Sequence, residues 1–210
     1  LIALIGGRIT PSFTRNWMKA RGLSPQPEVF GLVDRAALTL TVAGAAAWTL
    51  LPDTALTGGL LLLAGVALGA RLSRWRGLRV AAEPLVWILH LGYGWLALGL
   101  MLAGAAALWP AVVPATAAIH ALTVGGVGVM TLAVMTRASR GHTGRPLAAD
   151  RWTTAIYVAI NAAAVSRVAA PFAGEAQGAL LSASATLWCL AFGSFAALYA
   201  PMLTQPRRAA

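Results

Sequence analysis

Between residues 32 and 200 the sequence is a succession of apolar runs, each about as long as a bilayer is thick. Drawn as helices, they cover 32–52, 55–71, 84–108, 112–136, 152–170 and 177–200. Roughly 20 apolar residues cross ~30 Å of hydrocarbon as a helix, and in lipid only helices and closed barrels satisfy the backbone. Barrel strands would read as alternating segments of about ten residues, so continuous runs predict helices. Only 10% of the residues are charged and 59% are hydrophobic, whereas about a quarter of a soluble domain is charged. The predicted architecture is an all-α, polytopic transmembrane helix bundle with about six full spans. It forms one transmembrane domain over residues 1–210, with LIALIGG at residues 1–7 as the end of a seventh span. That opening, which starts on Leu1 and lacks the charged n-region and cleavage site of a signal peptide, reads as the C-terminal part of a longer membrane protein.

The net charge of +10 would suggest nucleic acid in a soluble protein. Here the basic residues alternate between connections. Arg8, Arg15, Lys19, Arg21 and Arg35 precede the first span, and LPDTAL after it has no basic residue. Arg71, Arg74, Arg76 and Arg79 follow the second span, and WPAVVPAT after the third has none. Arg137, Arg140, Arg145 and Arg151 come next, then the neutral-to-acidic APFAGEAQ, then Arg207 and Arg208. Basic loops stay on the cytoplasmic side, which predicts a cytoplasmic C-terminus and argues for lipid bilayer, not nucleic acid, as the partner. The single cysteine, Cys189, excludes an intrachain disulfide or a cysteine metal cluster.

Three histidines remain for chemistry. An ionisable residue inside a membrane span is costly and is a functional candidate by default. His90 lies in WILHLGYGWL, six residues into its span, or roughly 9 Å deep from the cytoplasmic end. His120 opens HALTVGGVGVMTLAVMTRASRGHTGR, about eight residues in from the opposite end, or roughly 12 Å deep. In a core of ~30 Å that leaves roughly 9 Å between their levels, which fits one shared cofactor or two stacked sites. Imidazole is a usual axial haem ligand and also suits copper; the other reading is a histidine hydrogen-bonded between helices. Arg167, the one arginine expected on the outer side, either snorkels or pairs with an anionic group such as a haem propionate. Asn161 on the same span is expected to hydrogen-bond between helices. His142, in the expected basic loop RASRGHTGRP, is a third candidate metal ligand. The opening segment GGRITPSFTRNW is rich in polar residues for a simple connector, and with that loop it is expected to form a polar cytoplasmic cap. Gly92, Gly94 and Gly99 in one span and Gly125, Gly126 and Gly128 in the next read first as close helix packing, and second as room for a flat cofactor.

HALTVGGVGVMTLAVMTRASRGHTGRPL, GGRITPSFTRNW and HLGYGWL together resemble the NnrS family of haem- and copper-containing membrane proteins, over essentially the whole chain as the C-terminal half of a member. The resemblance implies a bacterial inner-membrane protein of about twelve helices, linked to denitrification and nitric oxide tolerance. It implies haem, with or without copper, as cofactor and nitric oxide as ligand, with further ligands supplied by the N-terminal half. The positions that match the family pattern include Arg8, Pro11, Phe13, Thr14 and Asn16, then His90 and Gly92. They continue with His120, Thr123, Gly125, Thr131, Arg137, Gly141, His142, Thr143, Gly144 and Arg145. The residues to test are therefore His90, His120 and Arg167 for haem and His90, His120 and His142 for metal. Arg8, Thr14, Asn16, Arg137, Thr143 and Arg145 form the surrounding cap. The alternative is a small-solute transporter without a redox cofactor, and a third reading is an assembly factor that protects another metalloenzyme. Whether the protein is an enzyme is left open.

The charge alternation makes a direct prediction. In a Cys189→Ser background, single cysteines at residues 77 and 142 should resist a membrane-impermeant maleimide in intact cells, and one at residue 111 should label. The opposite pattern overturns the orientation.

Overall fold

Every apolar run is helical in the computed structural model, which describes residues 1–206; Arg207 and Arg208, the last basic pair, lie outside the described residues. A π-helical turn, Ile2–Gly6, runs straight into α1 (Gly7–Lys19). After it come α2 (Leu32–Leu50), α3 (Ala55–Ser73), a 3-10 turn at Gly77–Val80 and α4 (Pro84–Leu108). Next, α5 (Ala115–His120), a π-helical stretch (Ala121–Val129) and α6 (Met130–His142) form one continuous rod of 28 residues. The helices α7 (Arg151–Ala169) and α8 (Gln177–Thr204) complete the chain, and among the described residues there is no strand. Helix starts follow local chemistry. Thr54 Oγ1 accepts from Thr57 N to cap α3, and Glu83 caps α4 ahead of Pro84 at its first position. Asp150 caps α7 through Thr153 N at 2.7 Å. Each side chain satisfies a backbone donor that the helix leaves free.

Five helices are long and apolar enough to cross a membrane: Ala55–Ser73, Pro84–Leu108, Ala115–His142, Arg151–Phe172 and Gly174–Thr204. The protein is thus a multi-pass helical membrane protein; among the described residues five of the expected six spans reach that length and hydropathy. The segment Leu32–Leu50 has the length, but Asp34 and Arg35 sit in its first turn and it is not among the five. Two expected connectors are also helical. GGRITPSFTRNW forms most of α1, and His142 is the last residue of α6, not part of a loop.

Consecutive helices pack as neighbours, with α4 in the middle against α1, α3 and the long rod. Small residues set the spacing. A Cβ on Gly65 would lie 2.7 Å from the Ala97 carbonyl, and one on Gly104 2.6 Å from the Gly58 carbonyl, so α3 and α4 touch backbone to backbone. A Cβ on Gly99 would come 3.0 Å from Leu122 N, and one on Gly92 3.2 Å from Met130 N. Without a hydrophobic force between helices in lipid, this kind of close approach drives association. Tryptophan rings fill the next gaps: Trp95 lies on Gly125 and Trp188 on Gly128. These glycines therefore pack helices.

One buried charge ties four segments together. Arg71, in the last turn of α3, is 2% exposed. Its Nε donates to Asp34 Oδ1 at 2.7 Å, and its Nη1 donates to the Ala3 carbonyl at 2.9 Å and to Tyr93 Oη at 2.8 Å. Its Nη2 donates to the Gly7 carbonyl at 3.2 Å. That carbonyl is free because Pro11, four residues on, has no N–H to give it. Gly7 must be glycine, since a Cβ there would sit 2.3 Å from Arg71 Nη1. Asp34 also accepts from Gly31 N at 3.0 Å, so the same carboxylate starts α2.

Removing one member of a buried, hydrogen-bonded ion pair costs about 3–5 kcal/mol. Asp34→Leu and Gly7→Ala should each lower the melting temperature in detergent by far more than Gly69→Ala, which adds a methyl where nothing lies within 4 Å. Equal melting temperatures for all three would remove Arg71 from this structural role.

Candidate functional site

Along α4 the contacts of Gly92 with Met130 and of Gly99 with Leu122 fix the register against the long rod. Extending that register puts His120 level with the residues just after Leu100, eleven or so residues from His90, which is roughly 16 Å along the axis. The separation exceeds the roughly 9 Å expected from span boundaries, because the rod begins at Ala115 and places His120 nearer its end. The two histidines therefore occupy different levels and have different partners.

His90 is 8% exposed and sits between three elements. Its Nε2 is 2.8 Å from Thr14 Oγ1 on α1, and that hydroxyl donates to the Thr10 carbonyl at 2.8 Å. Its ring meets Trp75 edge-on, with centroids 6.4 Å apart. Its Nδ1 is buried with no hydrogen-bond partner. A Cβ on Gly77 would lie 2.7 Å from that nitrogen, so only the absence of a side chain leaves room there.

His90 and Gly77 both line a cavity of about 1040 Å³ between the α3–α4 connection, α4 and α7. That is the size of the larger clefts that hold small molecules and cofactors, about 300–1,000 Å³. Its apolar lining is mostly aliphatic, with two tryptophans held in place by their neighbours. Trp95 Nε1 donates to Asn161 Oδ1 at 2.9 Å while its ring rests on Gly125, and Trp87 meets Tyr157 edge-on at 5.9 Å. Asn161 thus bonds between helices as expected from the sequence. Arg76 and Arg79 line the same space from the connection. An apolar cavity with a buried imidazole and two arginines on one side suits a flat, largely apolar ligand that carries carboxylates.

His120 Nε2 instead accepts from Arg167 Nε at 3.2 Å, so these two residues are engaged with each other. His142 is exposed at the end of α6 and does not join either histidine. Among the described residues no three of His, Cys, Asp and Glu converge on a metal-sized space.

The expected cap residues divide. Arg8 lines a separate cavity of about 590 Å³ beside Arg71, and Arg137 lies over the Phe13 ring at 4.0 Å, tying α6 to α1. Asn16 is exposed. Thr143 Oγ1 donates back to the Ser139 carbonyl at 2.6 Å, and Arg145 reaches the Met202 carbonyl at 3.5 Å and Gln205 at 3.3 Å. Sequence reading missed Arg76, Arg79 and Gly77, which looked like a positive connector, and it missed the buried cluster around Arg140. Arg140 donates to Asp150 and, at 3.2 Å, to Tyr199 Oη, which also pairs with Thr153 at 2.9 Å. The glycine inside an arginine-rich connector was the available signal for the first group.

A family model described as NnrS protein matches residues 1–207. The chain belongs to the NnrS family. No curated protein and no solved structure matched it. Within this NnrS chain the three resembling segments meet in space: Thr14 of GGRITPSFTRNW bonds His90 of the HLGYGWL segment. Gly92, two residues further along that segment, packs on Met130 of the long motif.

Burial raises the Asp150 carboxyl, but the Thr153 hydrogen bonds and the Arg140 guanidinium outweigh it and hold it below its ordinary 3.8. A depressed carboxyl adds stability above that value, which is lost as pH falls through the folded one. Melting of the wild type should therefore fall between pH 5 and pH 3 more steeply than that of Asp150→Asn. Parallel curves would show that the Arg140–Asp150 contact contributes nothing.

Proposed function

We propose that this NnrS protein binds haem in the cavity beside His90 and acts in the cell's response to nitric oxide. The observation that carries the reading is the buried, unpartnered Nδ1 of His90, which lies under Gly77 in a residue lining a large, mostly apolar cavity that two arginines also line. An imidazole nitrogen with no partner in a buried site costs free energy, and a metal ion would satisfy its lone pair. Haem fits this set: His90 as ligand, Trp87 and Trp95 as flat walls, and Arg76 and Arg79 as partners for its carboxylates. Copper held by three protein ligands does not fit the described residues, which lack a convergent His, Cys, Asp and Glu set. When bound at His90, haem would supply an iron able to take up a diatomic ligand, which links the site to nitric oxide. His120 and Arg167 form a second candidate at the outer level, where a ligand would have to displace the bond between them.

The protein purified in detergent with added haem should give a Soret band that moves on reduction and again with nitric oxide. His90→Ala should lower haem per protein at least about tenfold. Charge-assisted hydrogen bonds contribute about 1.5–3 kcal/mol, so Arg76→Leu or Arg79→Leu alone should weaken retention by about ten- to a hundredfold. Arg167→Leu should have the smaller effect. A folded protein with no haem band returns His90 to packing and favours a transporter.

A further inference from the structure

We infer that Thr14 fixes the tautomer of His90 so that Nδ1, not Nε2, is the ligating nitrogen. This rests on the reading of His90 as a haem ligand. The Thr14 hydroxyl has one proton and lies 2.8 Å from both the Thr10 carbonyl and His90 Nε2. Donated to Nε2, that proton would leave a buried Nδ1–H with no acceptor; donated to the carbonyl, the common back-bond of a helical threonine, it leaves the hydroxyl free to accept from Nε2. The hydroxyl lone pair then faces Nε2, and the contact is satisfied only if Nε2 carries the imidazole proton. A neutral imidazole has one N–H and one bare nitrogen. The bare one is Nδ1, the atom that has no partner in the protein.

This matches the general arrangement in which a ligating histidine gives its other N–H to a supporting acceptor that fixes ring and tautomer. Here the acceptor comes from α1, which Arg71 holds in place through the Ala3 and Gly7 carbonyls. Nδ1 faces Gly77, in the 3-10 turn Gly77–Val80. The residue before it, Arg76, has a φ of 59°, a left-handed conformation unusual for a non-glycine residue. A ligand that reaches Nδ1 has to lift this turn off the imidazole, and the turn carries Arg76 and Arg79 of the same cavity. Thr14 is thus a positioning residue for His90, and it acts without touching the ligand.

The test uses the full chain in detergent with histidine labelled with ¹⁵N at Nδ1 alone or at Nε2 alone, and zinc protoporphyrin as a diamagnetic probe. A His90→Ala sample assigns the signal. Without the probe, the proton should be on Nε2 of His90. With it, the Nδ1-labelled resonance should shift and the Nε2 proton should remain. Loss of a supporting partner costs about 10–100-fold in affinity, so Thr14→Val should bind the probe at least about tenfold more weakly. Thr14→Ser should stay within about twofold of wild type. Binding through Nε2, or equal affinity in Thr14→Val, overturns this inference and leaves His90 as a ligand. No binding by the wild type, or equal binding by His90→Ala, overturns the haem reading as well.

Discussion

A guanidinium buried at the C-terminal end of α3 holds the surrounding helices in register. Arg71 finds an acceptor for each of its nitrogens, and those acceptors come from the first helical turn, α1, α2 and α4. In low dielectric such a group is costly unless every donor is met, and the cost of partial satisfaction makes the arrangement specific. Gly7 and Thr14 are seven residues apart and share a face of α1, while Tyr93 and His90 are three apart and share a face of α4. The contact that clamps Arg71 therefore also delivers Thr14 to His90. Position at the candidate site is inherited from an ion pair more than one helical turn away.

Much of the fold was legible from run length alone, because the bilayer sets that length for any crossing helix. The packing glycines of α4 and the rod, and the interhelical hydrogen bond of Asn161, were legible because small and amide residues have few roles in lipid; that its partner is Trp95 was not. What sequence could not show was which charges are buried. Arg71 and Asp34 stand 37 residues apart at the ends of apolar runs, where every charge looks like a boundary marker. The helicity of α1 was hidden by its polar residues and by Pro11, whose missing donor is compensated by a side chain from α3. His142 looked like loop because glycine and arginines surround it, although α6 keeps its hydrogen bonds to that point. The level of His120 was misjudged because it depends on where a helix begins, the least certain feature of any sequence reading.

The candidate site shows the same division. His90 stood out from sequence as a lone imidazole in a span. Its environment did not, because it is assembled from Thr14, Trp75, Gly77 and Trp95, scattered over more than 80 residues. Arg76 and Arg79 carried a sufficient topological explanation, and their place at the cavity follows only from the turn into α4. His120 and Arg167 were each singled out, and the structure joins them to each other. The end of the bundle near His120 thus holds a closed polar pair, and the end near His90 an imidazole with one nitrogen uncommitted.

The π-helical stretch Ala121–Val129 sits between those ends within one unbroken rod. Its i→i+5 bonding breaks the 3.6-residue rhythm, so it acts as a phase shifter: it sets the angle at which the segment after it emerges relative to the one before it. Each residue in a helix turns the chain by about 100°. Removing a single residue from this stretch would leave the rod long enough to cross the bilayer but would rotate everything beyond it by that angle. Met130 would swing away from Gly92, and Arg140 away from Tyr199, although neither had been touched. For this rod a one-residue change of length is therefore a larger event than most substitutions.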